Sequence, residues 1–293
     1  MLAGFWEHIN ELKHRLKIIF IALIAATAFF ALFPSNPVHM FTAKFWLTGM
    51  YSPVVSVFLN WIRNFIAPRG LQIISLEIGA PFEIYFLASI IFGFLVSSPV
   101  IAYELYKFVD PALYPHERKS VYPFVVGFTG LFIAGALFGL FILSPFIVYT
   151  VILFSQIVGS LPVLSVSDFY SMILTTIGLT GFGFTIPEIF VLLVKFGMVK
   201  TSIIAKNRVW FYFILYIVTA IITPDGGPLA DIALFIPMAV LWEVALLIAK
   251  RYEKESPTSP SVSGFDMSKK CSYCGQMIDD SDVFCKQCGK SQR

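Results

Sequence analysis

Long apolar stretches alternate with short polar ones along almost the whole chain. Roughly 20 apolar residues cross a bilayer as a helix, and the pattern predicts spans over 16–33, 82–103, 121–146, 168–195, 209–223 and 229–249. The fifth is short, and Pro224, Gly226, Gly227 and Pro228 break it from the sixth, so these two are expected to form a tight hairpin. Between the first two spans, "VVSVFLNWIRNFI" (54–66) has helical apolar spacing but is too short to cross. It is expected to lie in the membrane interface, with Trp61 and Arg63 near the headgroups and Pro68 and Gly70 ending it. The expected fold class is an all-α membrane protein with six transmembrane helices, occupying 1–250.

Composition agrees with the pattern. Of 293 residues, 57% are hydrophobic and 13% charged, against about 45–50% and about 25% in a soluble domain. The first apolar run follows Glu7, Glu11 and several basic residues, and no small-residue cleavage site closes it, so a cleaved secretory signal is not expected. The net charge of +3 calls for no nucleic-acid partner, and its distribution is better explained by topology. Thirteen Lys and Arg residues flank the spans on one side: Lys13, Arg15 and Lys17, then the clusters around Lys107, around Lys200 and after Lys250. The opposite loops hold Lys44, Arg63 and Arg69. That bias places both termini in the cytoplasm.

After the sixth span the chain changes character. Residues 251–268 form a polar Ser/Pro-rich linker that cannot bury a core. Residues 269–293 carry all four cysteines, Cys271, Cys274, Cys285 and Cys288, spaced C-x2-C-x10-C-x2-C with Gly275 and Gly289 after each pair. Two cysteines three apart in a tight turn can aim both thiolates at one metal, and two such knuckles complete a tetrahedral Zn2+ site. Iron and a pair of disulfides are the alternatives, and a reducing cytoplasmic tail disfavours the disulfides. So short a segment builds little core, so the metal is expected to supply most of its folding energy.

Acids inside apolar spans are costly, about 2.5–3.5 kcal/mol at a helix centre. Glu77, Glu83, Asp168 and Glu243 fall near span ends, where they can reach the interface. Glu188 does not: it follows Pro187 well inside the fourth span, in a helix thinned by Gly178, Gly181 and Gly183. A proline there permits a bend, so Glu188 is expected either to line a groove or to make a structural hydrogen bond. Ahead of the first span, Glu7, Glu11 and Arg15 recur at helical spacing, as in simple i,i+4 ion pairing on a solvated helix.

"FVDPALYPHERKSVYP" (108–123) interrupts the apolar pattern with prolines and charges, on the cytoplasmic side by the charge bias. Taken with "HINELKHRL" (8–16), "APFE" (80–83), "SSPVIAYELYKFVDPALYPHERK" (97–119) and "TPDGGPLADIALFIPM" (223–238), in that order, it resembles the TatC family of the twin-arginine protein translocase. The similarity covers about residues 5–250.

The resemblance implies a receptor and core translocase subunit, not an enzyme. Such a subunit binds twin-arginine signal peptides of folded cargo and assembles a proton-motive-force-driven translocon with TatA/TatB-like single-span subunits, as a homo-oligomer in the assembled complex. It implies no cofactor in the membrane domain. Carried over by motif, the signal-binding residues are Glu11, Glu117, Lys13 and Arg118, and the other motif residues are Glu83, Pro111, Leu113, Tyr114 and Asp225. Lys13 stands where the family usually has arginine. Two carboxylates facing the cytoplasm can accept forked guanidinium hydrogen bonds that lysine cannot copy. Pro111 and Pro115 stiffen the loop carrying one of them. Pro187-Glu188 is assigned to docking of the single-span partner. The localisation implied is the cytoplasmic membrane of a prokaryote, archaeal by the look of the cysteine tail. The alternative, a six-helix secondary transporter for a small solute, calls for related halves and a midplane site, and the sequence shows no internal repeat.

Overall fold

The first apolar run folds as one helix, α1 (Leu2–Leu32). The computed structural model describes residues 2–35, 53–68, 71–109, 121–161, 163–223, 227–255, 268–270 and 277–279. The amphipathic segment is the helix α2 (Val54–Ile66), which buries Val55, Ile62 and Ile66 and leaves Trp61 and Phe65 outside, stacked on each other. Next come β1 (Gln72–Ile74), α3 (Ala80–Val109) and α4 (Val121–Phe138). A π-helical turn, Gly139–Leu143, leads into α5 (Ser144–Val158). The chain continues through β2 (Val163–Ser165), α6 (Val166–Lys195), the short α7 (Ser202–Lys206), α8 (Arg208–Ile222) and α9 (Gly227–Glu255). Among the described residues, five helical stretches are long and apolar enough to cross a membrane: Asn10–Leu32, Ala80–Phe108, Tyr122–Val158, Val166–Lys195 and Gly227–Glu253. The 15-residue α8 is shorter.

Two expectations are corrected. The third span does not end near 146; its helix runs to Val158. Pro145 looks like a terminator, but it enters at the first turn of α5, just after the π turn. There the Ser144 N–H bonds the Gly139 carbonyl, and Ser144 Oγ donates to the same oxygen at 2.7 Å. The wider turn absorbs the proline's missing donor, so the helix continues. At 1.5 Å per residue, the 37 residues of Tyr122–Val158 extend about 55 Å, well beyond the roughly 30 Å of a hydrocarbon core.

The fold is also not purely α. β1 and β2 pair in parallel, with Gln72 opposite Val163 and Ile74 opposite Ser165. Three-residue strands are too short to show a period, and their parallel pairing is closed by a long helical crossover that no local signal reveals.

α1 and α3 pack antiparallel. Tyr85 Oη of α3 donates to the Ala31 carbonyl of α1. Lower down, a Cβ on Gly93 would collide with the Thr27 side chain. α4 and the π turn after it approach α6 closely: a Cβ on Gly135 of α4 would lie 2.9 Å from Phe184 Cβ, and one on Gly139 of the π turn would be 3.2 Å from Ile177 Cα. Small residues at helix contacts replace the missing hydrophobic drive between helices in lipid with close van der Waals packing. Buried hydroxyls on α6 satisfy themselves within the helix. Thr176, Thr180 and Thr185 donate to the carbonyls of Met172, Thr176 and Phe182 at 2.7, 2.6 and 2.8 Å.

Residues Lys254–Arg293 form a separate compact unit. In it β3 (Ser268–Lys270) pairs antiparallel with β4 (Met277–Asp279), Lys270 facing Met277. The four cysteines lie outside the described residues.

Candidate functional site

One end of the bundle, where α1 begins and α3, α6 and α9 finish, concentrates the ion pairs. The register that sets Tyr85 against Ala31 and Gly93 against Thr27 brings Glu104, near the end of α3, to the first turns of the membrane stretch of α1. There Arg15 Nε donates to Glu11 Oε1 at 3.1 Å, and Arg15 Nη2 contacts the same oxygen. Arg15 Nη1 reaches Glu104 Oε2 at 3.4 Å. The Glu104 side chain is 9% exposed and that of Glu11 32%. Lys13 is exposed beside this triad. Lys107, one turn beyond Glu104, rests its ammonium 4.7 Å from the centre of the Tyr103 ring.

Glu104 was not singled out by the sequence reading, and Arg15 figured there only as a local pair for Glu11. A signal for Glu104 existed: Ser97, Ile101, Glu104 and Phe108 recur at helical spacing, which puts the acid on the inward stripe of α3. The pairing with Arg15 depends on the α1–α3 register, which a single sequence does not contain.

Glu188 stands elsewhere. α6 runs unbroken from Val166 to Lys195 with Pro187 buried inside it. The Glu188 side chain is half-buried against α4, where a Cβ on Gly127 would come within 2.9 Å of its Oε1. Gly127 thus opens a notch for this carboxylate. Among the described residues Glu188 makes no hydrogen bond or ion pair with a side chain, so no polar contact joins it to the Glu11–Arg15–Glu104 triad. An apolar cluster of Ile101, Ala102, Tyr106, Phe124, Phe128 and Leu192, flanked by Ile189, fills the region where α3, α4 and α6 meet.

Glu83 is exposed in the first turn of α3, at the opposite end of that helix from Glu104, where a carboxylate complements the helix dipole. Glu243 of α9 accepts from Tyr212 Oη and lies 3.5 Å from Arg208 Nη2 of α8, fastening the two helices of the terminal hairpin. Glu253 accepts from the Thr201 backbone N–H at 3.3 Å and from its hydroxyl. Pro111, Leu113, Tyr114, Glu117 and Arg118, together with Asp225, lie outside the described residues.

The family described as Sec-independent protein translocase protein (TatC) matches residues 7–237. The chain is 31% identical to the Sec-independent protein translocase protein TatC of Blattabacterium sp. subsp. Periplaneta americana, over 84% of this chain and 94% of that protein. It is 28% identical to the TatC protein of Aquifex aeolicus, over 83% of this chain and 93% of that one. A crystal structure of the twin arginine translocase receptor TatC in DDM superposes with a TM-score of 0.66 at 27% identity, covering 83% of this chain and 99% of that one.

Proposed function

The chain belongs to the TatC family of Sec-independent protein translocase proteins, and on that premise we propose that Glu11 and Glu117 read the paired arginines of signal peptides on folded cargo. It is a multi-pass membrane subunit of a translocase and not an enzyme. One observation carries the proposal: Glu11 already accepts a guanidinium, through Arg15 Nε at 3.1 Å and Nη2, at the end of the bundle where the α3–α4 loop with Glu117 begins. A carboxylate poised for that fork suits arginine and not lysine. Lys13 and Arg118 flank the two acids in sequence and complete the site.

The rest of the proposal follows from charge and packing. α8 counts as the sixth crossing, its 15 residues placed where the bilayer is thinned or covered by protein. With six crossings and the basic residues on one side, both termini are cytoplasmic. Residues 1–250 are the translocase domain, 251–268 a linker and 269–293 a zinc ribbon. The relatives are mostly bacterial and lend the archaeal reading no support.

The β3–β4 pair supports the ribbon, since Lys270 and Met277 bracket the segment holding Cys271 and Cys274. Four thiolates at this spacing fit Zn2+. Purified protein is expected to carry about one zinc per chain, and Cys274→Ser to lose it while the helix content of the membrane domain stays constant. Metal analysis that finds no zinc, or equal zinc in the variant, contradicts the ribbon.

Glu188, in its Gly127 notch, is assigned to docking a TatA/TatB-like single-span helix, in a complex holding more than one copy of this chain. A photo-crosslinker placed beside Glu117 in native membranes is expected to capture a twin-arginine signal peptide. Glu188→Ala is expected to leave that crosslink intact while weakening co-purification of the single-span subunit. No crosslink in the wild type contradicts the signal-binding assignment, and a crosslink lost in Glu188→Ala with partner contact retained reverses the assignment of Glu188.

A further inference from the structure

Arg15 occupies the kind of place that a signal arginine would take. Its guanidinium spans two helices, with two nitrogens on Glu11 and a third facing Glu104. The seating is uneven. Both contacts to Glu11 fall on Oε1, and the contact to Glu104 is 3.4 Å, at the long edge of hydrogen-bond distance. A carboxylate can accept about four hydrogen bonds. Yet Glu104, nine-tenths buried, accepts this one long bond among the described residues. Lys107, the cation nearest in sequence, acts on the Glu104 charge from a distance while its ammonium rests on the Tyr103 ring. Glu104 is therefore a buried charge whose close pairing is a single long contact to Arg15, and a buried charge with poor pairing gains most from a better partner.

We infer that Arg15 is an internal occupant of the arginine-reading site, seated on Glu11 and Glu104 until a signal arginine replaces it, and that Glu104 is a further carboxylate of that site. The inference rests on the proposal that Glu11 binds a signal guanidinium. Exchange of one guanidinium for another keeps both acids compensated throughout, so the buried Glu104 need never stand alone. It also sets a threshold for binding. Displacing Arg15 costs every ligand the same free energy, so affinity falls alike for all cations, while the acids keep their preference for a planar fork over an ammonium.

The test measures binding of a labelled twin-arginine signal peptide, and of its twin-lysine counterpart, to the full chain in nanodiscs. Arg15→Gln is expected to tighten twin-arginine binding about tenfold, and the gain to vanish in the Arg15→Gln, Glu104→Gln double variant. Arg15→Lys keeps a cation against Glu104 and loses the fork, which guards against misfolding, and is expected to give a smaller gain of about threefold. Binding that weakens or stays the same in both single variants overturns the inference, as does a gain that persists in the double variant. A wild type that binds both peptides equally overturns the underlying proposal instead.

Discussion

Gly135→Ala is expected to destabilise the membrane domain sharply, while Gly130→Ala, the same chemical change five residues earlier on α4, leaves it intact. At Gly130 an added Cβ meets nothing within 4 Å. At Gly135 it would lie 2.5 Å from the Thr180 carbonyl oxygen and 2.9 Å from both Cβ and Cγ of Phe184. Neither neighbour can turn away: one is the backbone of α6, and the other is rooted at its Cβ in the buried core. Overpacking of this kind costs about 1–3 kcal/mol when the surroundings can shift. Here relief requires α4 and α6 to part, which also loosens the packing beside Gly139 and the notch that holds Glu188. Thermal unfolding in detergent should show the midpoint of Gly135→Ala lowered by at least about 5 °C, with Gly130→Ala unchanged or slightly raised, since alanine is the better helix former. Equal midpoints would mean that α4 and α6 do not meet at this contact.

Most of the helical plan was legible because apolar length and periodicity are local. The helix over 54–66 was readable to the residue, since its apolar spacing is helical and Pro68 follows it. The end of the third span was not, because Pro145 reads locally as a break while a π turn, made by Gly139 and Ser144, removes the conflict. β1 and β2 escaped because a three-residue parallel pair exists only once the crossover has closed.

The candidate site divides along the same line. Glu11 was visible through its motif, and Glu188 through the cost of an acid inside an apolar span. Glu104 hid at the end of a span, where an acid looks able to reach water; its burial comes from α1 packing alongside. Gly127 reads as one more small residue in a membrane helix until the Glu188 carboxylate is found against it.

The second large effect concerns Glu117. Each charge-assisted hydrogen bond to a guanidinium contributes about 1.5–3 kcal/mol, so Glu117→Gln, which keeps the shape and removes the charge, is expected to weaken signal-peptide binding roughly tenfold to a hundredfold. Glu117→Ala should be no milder. Glu117→Asp retains the carboxylate on a shorter stem and should preserve part of the binding. Glu83→Gln is the matched control, because that acid is exposed at the other end of α3 and should leave binding unchanged.

The most direct measurement crosses that variant with the ligand. Affinities of a twin-arginine peptide and its twin-lysine counterpart are determined for the wild type and for Glu117→Gln. If the carboxylate reads the guanidinium fork, the arginine-to-lysine exchange costs the wild type about tenfold more than it costs the variant, where the fork has already lost its partner. Equal losses in the two backgrounds would contradict the account and leave residues 108–123 as a structural turn.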